Sequence, residues 1–359
     1  MTLPVPVSLE PMLAQLAPEI PTGPEWVYEP KWDGFRCLAF RDGEDVALQS
    51  KAGQPLARYF PELVEAVRGL RAPRFVLDGE IVVPVGGELS FDDLLQRIHP
   101  AESRIRRLSV ETPALYLAFD LLVDEKGASL LDRPWRERRR ALERFAAKRL
   151  AEGGRILLSP ATVDPAAARR WVRGAGGALD GVIAKLADVP YLAGDRSGMR
   201  KIKFLRTADC VVGGFRYSKN GRIVGSLLLG LYAKNGALDH VGFCSGLTTA
   251  QRRELTPKLE RLVRSPGFTG RAPGGPSRWA SERTGEWEPL APCLVVEVQY
   301  DHFSQGRFRH GTRLLRWRPD KAPKQCTLAQ VKQESGVWGQ VSKHVTLRPH
   351  RPARTSSEG

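Results

Sequence analysis

The chain has few of the side chains that bind metal ions through sulfur or imidazole. Its 359 residues include five cysteines, six histidines and three methionines. The cysteines lie far apart, and none forms a C-x-x-C pair or a Cys/His cluster with zinc spacing: Cys37, Cys210, Cys244, Cys293 and Cys326. This spacing argues against a zinc module. We expect a reducing compartment in which the cysteines act as small core hydrophobes.

The chain also lacks long hydrophobic runs. Nowhere do about 18 consecutive apolar residues occur, the length that a membrane-spanning helix needs. The N-terminus has no basic region followed by an apolar run, the pattern of a secretory signal. We therefore expect a cytoplasmic protein without a membrane partner.

Positive charge is abundant. The chain carries 55 basic and 40 acidic residues, which gives a formal net charge of +15. Such an excess favours an acidic polymer as partner, although a generally basic protein would show it too. The length favours two domains over one.

The chain up to about residue 205 is predicted to contain mostly strands, with two helices between Leu122 and Gly181. Strands are predicted at Phe35–Phe40 and Val46–Gln49 around the turn Asp42-Gly43, at Phe75–Leu77 and Ile81–Val85 around Asp78-Gly79-Glu80, and at Leu115–Leu122, Gly181–Leu186 and Lys201–Phe204. Helices are predicted at about Trp135–Leu150 and at Pro165–Val172, the second ending at Gly174.

Beyond about residue 205 the pattern changes to strands joined by Asn-Gly turns. The predicted elements are Val211–Arg216, Ile223–Tyr232, Leu238–Phe243, a helix at Thr249–Val263, Leu294–Tyr300 and Arg313–Trp317, with turns at Asn220-Gly221 and Asn235-Gly236. Five strands with one helix between them suit an OB-type barrel, although other small barrels would fit. We expect domains at 1–205 and 206–335, followed by a basic, disordered tail at 336–359.

One short segment carries a candidate nucleophile. Glu29-Pro30-Lys31-Trp32-Asp33-Gly34-Phe35-Arg36 places a lysine beside an acid and a glycine. A lysine attacks phosphorus only as a free amine, so its neighbours must favour loss of its proton. The glycine would let a nucleotide approach the backbone closely. A surface turn at Asp33-Gly34 is the alternative interpretation of this segment.

Two further lysines are predicted to share one face of a strand. In Arg200-Lys201-Ile202-Lys203, alternation sends Lys201 and Lys203 to the same side, with Ile202 toward the core. Two ammonium groups on one face suit a phosphate. A solvated edge strand protected by lysines would give the same pattern.

Acids and an aromatic residue lie at strand ends or in turns. Asp180 and Lys185 lie at either end of an apolar strand, where the acid could hold Mg²⁺ and the lysine a phosphate. Glu80 could bind ribose hydroxyls, and Phe119, predicted near the end of a strand, offers a face for a base. Turn acids and a core phenylalanine are the alternatives.

A basic segment follows the predicted barrel strands. Its sequence is R-L-L-R-W-R-P-D-K, from Arg313 to Lys321. Several guanidinium groups suit pyrophosphate or a nucleic-acid backbone. A basic surface loop is the other interpretation.

Taken in order, these segments resemble the covalent nucleotidyltransferase superfamily. The order is K-W-D-G-F-R, F-V-L-D-G-E-I-V, L-A-F-D-L-L, D-G-V-I-A-K, R-K-I-K-F and L-R-W-R-P-D-K. The chain is most similar to ATP-dependent DNA ligases, and specifically to the short bacterial C-type ligases, from about Pro11 to Gln330. The resemblance implies an α+β fold, in which an adenylation (nucleotidyltransferase) domain of antiparallel sheets with flanking helices precedes an OB-fold β-barrel.

The resemblance also implies roles for individual residues. Lys31 would attack the α-phosphorus of ATP and carry AMP covalently. Glu29 would sense adenine, Phe119 stack on it, and Glu80 bind the ribose. Arg36 would contact ribose and the DNA end. Asp180, with Glu80, would hold Mg²⁺ or Mn²⁺. Lys185, Lys201 and Lys203 would contact the α-phosphate. Arg318, Asp320 and Lys321 would orient pyrophosphate.

Two positions depart from the family pattern. Lys51, in Ser50-Lys51-Ala52-Gly53, replaces the usual arginine, so it would neutralise a phosphate without a bidentate fork. Asp180 replaces the usual glutamate, so its metal contact would run through water.

The implied function is sealing of nicks in duplex DNA by a monomer in the bacterial cytosol or nucleoid. DNA repair and recombination are the expected settings, with a repair polymerase as a candidate partner. An RNA ligase, a GTP-using RNA-capping enzyme and a non-enzymatic OB-fold nucleic-acid-binding protein remain the alternatives.

Overall fold

A computed structural model describes residues 1–173, 179–219, 221–274 and 286–331. The chain divides into two units, Met1–Lys203 and Phe204–Gln333. The tail predicted at 336–359 and the helix end predicted at Gly174 lie outside the described residues, as does Asn220 of one predicted turn. No helix in the described ranges is long and apolar enough to cross a membrane.

In its described residues, the first unit is built mainly from two sheets, each antiparallel except for one parallel pair of strands, and five α-helices. Its strands are β1 (Gln15–Leu16), β2 (Trp26–Trp32), β3 (Phe35–Asp42), β4 (Asp45–Ser50), β5 (Arg74–Val82), β6 (Pro84–Val85), β7 (Glu88–Leu89), β8 (Leu115–Val123), β9 (Ile156–Leu158), β10 (Leu179–Leu186) and β11 (Met199–Lys203). Its α-helices are α1 (Pro61–Gly69), α2 (Phe91–Gln96), α3 (Glu102–Glu111), α4 (Trp135–Arg149) and α5 (Pro165–Arg173).

One sheet has the order β1-β11-β10-β2 and the other the order β4-β3-β5-β8-β9. Strand β8 is buried along its whole length, which is why it reads as a continuous apolar run. The Asp42-Gly43 hairpin is confirmed, because β3 pairs with β4 and Gly43 adopts the positive φ of 63° that the turn requires.

Two predictions about the central strands are wrong. Asp78-Gly79-Glu80 is not a turn, because β5 runs through it without a break. Gly79 allows the ring of Tyr116 to pack closely against β5, because a Cβ at this position would lie 2.5 Å from that ring. The Tyr116 hydroxyl donates to the carbonyls of Cys37 and Leu77, at 2.8 and 3.0 Å. Phe119 likewise lies within β8 and not at its end.

Helices α1 to α3 were not predicted from the sequence. They lie in a span where strand patterns dominate, and α2 is only six residues long. Helix α1 begins with a proline at its first position, and it buries Leu63 and Val67 against the sheet core. Short helices of this kind are stabilised by packing more than by their own propensity.

The described part of the second unit contains one barrel-like sheet, one two-stranded sheet and one α-helix. Its strands are β12 (Arg206–Ser218), β13 (Gly221–Tyr232), β14 (Leu238–Cys244), β15 (Glu288–Pro289), β16 (Val295–Tyr300), β17 (Phe303–Ser304), β18 (Arg307–Phe308) and β19 (Arg313–Trp317), and its helix is α6 (Thr249–Glu260). The long strands follow the order β14-β13-β12-β16-β19. A parallel bridge from Cys244 to Thr312 joins the two ends of this order. The five predicted strands and the interposed helix therefore form an OB-fold region.

Candidate active site

Two rows of side chains cross the first sheet on one face. In one row Lys31 lies opposite Gly181, which lies opposite Lys203; in the next, Glu29 lies opposite Ile183, which lies opposite Lys201. Directly opposed residues of antiparallel strands point to the same side. The predicted alternation in β11 is therefore confirmed, with Ile202 buried on the other face.

A β-bulge brings Asp180 to this face. Leu179 pairs with Trp32 and Gly181 pairs with Lys31, so Asp180 is an extra residue in β10. Regular alternation would point it away from Lys31. Instead its carboxylate accepts a hydrogen bond from the Nζ atom of Lys31. The Nζ atom of Lys203 lies 3.9 Å from the same oxygen.

Gly181 makes this bulge feasible. Its φ is 153°, and a Cβ on it would lie 1.9 Å from the carbonyl oxygen of Ile202. Gly34 has a similar packing role, because a Cβ there would lie 2.2 Å from the carbonyl oxygen of Ile81. The sequence interpretation assigned Gly34 to nucleotide approach, but the backbone that comes close to it is the protein's own.

The face forms one wall of a pocket of about 650 Å³, a size typical of small-molecule sites. All the site residues predicted in the first unit line it: Glu29, Lys31, Arg36, Lys51, Glu80, Phe119, Asp180, Lys185, Lys201 and Lys203. The folding of two sheets thus brings together residues that lie up to 174 positions apart, since the set runs from residue 29 to residue 203.

Glu29 and Lys185 form a buried ion pair in this pocket. The Nζ atom of Lys185 lies 2.8 Å from Oε2 of Glu29 and 4.8 Å from the centre of the Phe119 ring. The ammonium group is therefore held by a carboxylate and an aromatic face. Among the described residues, Oε1 of Glu29 has no hydrogen-bond partner, although it is buried. A buried acceptor without a partner is costly unless a ligand supplies a donor.

Arg36 is fixed by an acid that the sequence interpretation missed. Its guanidinium donates to both carboxylate oxygens of Asp78 at 2.6 Å, and the Tyr191 hydroxyl donates to Asp78 at 2.6 Å. The same guanidinium lies 4.7 Å from the centre of the Phe119 ring. Burial acts to lower the pKa of Arg36, but the Asp78 carboxylate outweighs it and raises that pKa. An acid inside an apolar strand requires such a partner, which was the available signal.

Two further ionisable groups of the pocket have pKa values away from their ordinary ones. Burial raises the pKa of Glu80 to about 8, although the positive charges of Arg36 and Lys31 act in the opposite direction. Partial burial, followed by the nearby charges of Lys31 and Lys51, lowers the pKa of Lys201. Several positively charged side chains therefore lie close together in the pocket, and a bound phosphate would reduce the repulsion between them.

The described residues contain no cluster of three or more His, Cys, Asp or Glu side chains suited to a metal ion. The pocket wall nevertheless carries the carboxylates of Asp180 and Glu80. Mg²⁺ is commonly held by one or two carboxylates, with substrate phosphates and water completing its shell. The donor set fits a metal that arrives with a nucleotide.

In the barrel, the remaining predicted residues gather around a second acid that the sequence interpretation missed. The Nη1 atom of Arg318 lies 2.8 Å from Oδ1 of Asp209, and its Nη2 atom lies 2.8 Å from Oδ2 of Asp320. The Nζ atom of Lys321 lies 3.4 Å from Oδ2 of Asp209. Asp209 belongs to β12 and lies 109 residues before Arg318 in the sequence.

Comparison with known families identifies the chain. Residues 11–203, more than half of its length, match the ATP dependent DNA ligase domain. The chain belongs to the ATP-dependent DNA ligases. Residues 220–321 match the ATP dependent DNA ligase C terminal region, so the match extends into the barrel. The similarity to the family that the sequence motifs indicated is thereby confirmed.

Curated relatives agree along nearly the whole ligase. It is 46% identical to DNA ligase C1 of Mycolicibacterium smegmatis, covering 92% of this chain and 96% of the relative. It is 45% identical to DNA ligase C of Mycobacterium tuberculosis, covering 93% and 96%. These similarities agree with the expected likeness to C-type ligases.

A solved structure supports the fold. It comes from "DNA binding with a minimal scaffold: Structure-function analysis of Lig E DNA ligases". It is 14% identical to this ligase, with a TM-score of 0.50, and the match covers 86% of this chain and 99% of that one. At this identity the similarity shows the fold alone.

Proposed function

We propose that this ligase seals nicks in duplex DNA by three displacements at phosphorus, the first of them on Lys31. In that step the Nζ atom of Lys31, as a free amine, forms a bond to the α-phosphorus of ATP. The bond from that phosphorus to the bridging oxygen breaks, and pyrophosphate leaves with the electron pair. The nitrogen, which is positively charged after the attack, loses one proton. AMP is then carried as a phosphoramidate.

The two later steps move the same nucleotide. A 5′-phosphate oxygen at the nick attacks the phosphorus of the phosphoramidate. The P–N bond breaks, and the Lys31 nitrogen takes up a proton and leaves as a free amine. The 3′-hydroxyl then attacks the adenylylated 5′-phosphate, loses its proton and expels AMP. Steps of this kind depend on positioning and charge neutralisation. The wall of lysines in the pocket is suited to that requirement.

The observation that carries this proposal is the environment of Lys31. Its ammonium group contacts a carboxylate oxygen of Asp180, and the Nζ atom of Lys203 lies 3.9 Å from the same oxygen. Gly181, which lies between Lys31 and Lys203 in the sheet, adds no side chain to this part of the pocket. A phosphate there would meet Lys203 and the neighbouring Lys201. We assign these two lysines to the α-phosphate. Lys185, which is paired with Glu29, contributes to the nucleobase end of the pocket instead.

We assign the base and sugar to the opposite end. The unpartnered Oε1 of Glu29 suits the exocyclic amine of adenine, which guanine lacks at that position. Phe119 offers its ring to the base, with Arg36 beside it. Glu80 binds the ribose, a role that either protonation state of its carboxyl can fill.

Mg²⁺, with Mn²⁺ as a substitute, is the proposed cofactor, and Asp180 is its proposed protein contact. When bound with ATP, the metal would neutralise phosphate charge and polarise the phosphorus. Burial raises the pKa of Glu80 to about 8, which makes this carboxyl a weaker candidate for a metal ligand near neutral pH.

We assign Arg318, Asp320 and Lys321 to the pyrophosphate leaving group, and Lys51 to the 5′-phosphate of DNA. The two units would then correspond to the predicted domains at 1–205 and 206–335. We further propose a cytoplasmic monomer that acts in DNA repair, with a repair polymerase as a candidate partner. DNA contacts would be mainly to phosphates, so affinity should fall steeply with added salt.

Labelling with nucleotides tests this proposal against its alternatives. Purified protein is incubated with α-labelled ATP or GTP and Mg²⁺, and then chased with nicked DNA or nicked RNA. We expect label from ATP alone and its transfer to DNA. Label from GTP would indicate capping, preference for RNA would indicate an RNA ligase, and binding of DNA without any labelling would indicate a non-enzymatic protein.

A further inference from the structure

Asp209 is the acid around which the basic segment of the barrel is arranged. Its side chain is only 12% exposed. One oxygen accepts from Nη1 of Arg318 at 2.8 Å, and the other lies 3.4 Å from Nζ of Lys321. A single carboxylate therefore contacts two of the three residues assigned to the leaving group.

The backbone of Asp209 is itself held in place. Its amide donates to Oε1 of Gln330 at 3.1 Å, and its carbonyl accepts from Nε2 of Gln330 at 3.2 Å. The residue also lies within the ladder between β12 and β16, opposite Glu297. These contacts set the position of the carboxylate before any ligand is present.

The guanidinium of Arg318 is held from two sides. Asp320 takes hydrogen bonds from its Nε and Nη2 atoms, and Asp209 takes one from Nη1. Asp320 is 61% exposed, whereas Asp209 is largely buried. A charge-assisted hydrogen bond is stronger where water is excluded, so Asp209 is the firmer of the two anchors.

We propose that Asp209 is a positioning residue for the first step of ligation, acting through Arg318 and Lys321. This inference rests on the proposed role of those two residues toward pyrophosphate. Arginine has five N–H donors, and at least three of those of Arg318 are committed to acids of the barrel. The carboxylate of Asp209 thereby fixes the direction in which the remaining donors point. Loss of this orientation should slow formation of lysyl-AMP and leave later steps unaffected.

The test compares two reactions of the same full-length protein. One is self-adenylylation with α-labelled ATP and Mg²⁺, and the other is sealing of a nick that already carries 5′-adenylate. We expect Asp209→Asn to slow the first by about tenfold or more, the range for loss of a charge-assisted hydrogen bond, and the second by less than about twofold. A general defect of the barrel would slow both.

Glu297→Gln is the matched control. Glu297 lies opposite Asp209 on the same sheet face, and its removal changes the charge by the same amount. It accepts its hydrogen bond from Arg316 at 2.6 Å and lies 3.8 Å from Arg318. We expect this variant to adenylylate at a rate within about threefold of wild type, because no direct hydrogen bond to Arg318 is lost.

Asp209→Glu provides a second variant that keeps the buried charge. Its extra methylene changes the position of the carboxylate relative to Arg318, so adenylylation should fall by an intermediate factor while sealing is retained. This variant decides the question if Asp209→Asn fails to fold. Adenylylation at wild-type rates in every folded Asp209 variant would overturn the inference.

Arg318→Ala separates this inference from the proposed function. If Arg318→Ala slows adenylylation and the double variant with Asp209→Asn is no slower, Asp209 acts through Arg318. If Arg318→Ala is slow but Asp209→Asn is normal, the positioning role alone fails. If Arg318→Ala adenylylates normally, the role assigned to the basic segment is wrong, and the inference falls with it.

Discussion

The Nζ atom of Lys185 lies 2.8 Å from Oε2 of Glu29, and both side chains are almost inaccessible to water, at 6% and 3% exposure. They come from β10 and β2, neighbouring strands that are distant in sequence. The pair links the stability of the sheet to the end of the pocket that we propose for the nucleobase, and mutation can separate these two contributions.

Lys185→Met should lower the urea midpoint of unfolding strongly, because it leaves the Glu29 carboxylate buried without a cation. Breaking a buried pair in this way costs about 3–5 kcal/mol. Lys148→Met is the control, since Lys148 pairs with Glu125 at 2.6 Å but is 59% exposed. The double variant Glu29→Gln/Lys185→Met should regain stability without regaining normal labelling by ATP. Equal midpoints for Lys185→Met and wild type would contradict the structural role of the pair.

Lys31→Ala should abolish covalent labelling by α-labelled ATP, because it removes the amine that we propose attacks the α-phosphorus. Denaturing electrophoresis measures the label, and mass spectrometry should locate AMP on Lys31 in the wild-type protein. Lys234→Ala, at an exposed turn of the barrel, should label normally. Label on Lys31→Ala at wild-type levels would show that another residue is the nucleophile.

Gly181→Ala should reduce both stability and adenylylation. The new Cβ would lie 1.9 Å from the carbonyl oxygen of Ile202, at a φ of 153°, so the bulge that presents Asp180 must deform. Gly87→Ala is a control for positive φ alone, because its φ is 84° and a Cβ there meets no atom within 4 Å. We expect a loss of about 1 kcal/mol for the control and several-fold more for Gly181→Ala. Similar thermal shifts in the two variants would argue against a steric role for Gly181.

Glu80 should make the stability of the free ligase fall with rising pH. Its pKa in the folded protein is about 8, against an ordinary value of 4.5. Because the folded state then holds the proton more tightly than the unfolded state, its contribution is complete below about pH 4.5 and is lost as the pH rises through 8. Thermal melts of Glu80→Gln should show a smaller decline between pH 6 and pH 8.5 than wild type, whereas Glu88→Gln, an exposed control, should follow wild type. A decline of the same size in Glu80→Gln would refute this assignment.

Asp320→Ala should slow self-adenylylation more than it slows sealing of a pre-adenylylated nick. The Asp320 carboxylate receives hydrogen bonds from the Nε and Nη2 atoms of Arg318, and these bonds lower the pKa of Asp320 to about 2. Because Asp209 still holds Arg318 in this variant, we expect a loss of about threefold to tenfold, smaller than that of Arg318→Ala. Equal slowing of the two reactions would argue against a leaving-group role.

Short sequence patterns correctly predicted the features that depend on backbone geometry over a few residues. Alternation placed Lys201 and Lys203 on one face, and Asp42-Gly43 predicted a hairpin correctly, because both follow from backbone geometry alone. The turn predicted at Asp78-Gly79-Glu80 is wrong. The glycine of this Asp-Gly pair leaves space for the Tyr116 ring and does not form a turn. Only tertiary packing distinguishes these two uses of glycine.

Among the site residues, those predicted in the first unit came from ordered motifs, and the pocket brings them together. The supporting acids Asp78 and Asp209 were missed because their partners are distant in sequence. Asp78 is fully buried and accepts hydrogen bonds from Arg36. Asp209, in β12, accepts a hydrogen bond from Arg318, which follows β19. The pairing of Lys185 with Glu29 could not be predicted either, because it depends on the register of β2 and β10.

Phe119, like Asp180, is the extra residue of a β-bulge. In β8, Asp120 pairs with Asp78 and Ala118 pairs with Gly79, so Phe119 has no residue opposite it. Deleting either residue should remove the bulge at that position and keep the pairing of the residues on either side of it. A one-codon deletion could thus yield a well-folded but inert protein. Conversely, insertion of one amino acid into a regular strand is a short evolutionary route by which an ordinary sheet acquires a reactive surface.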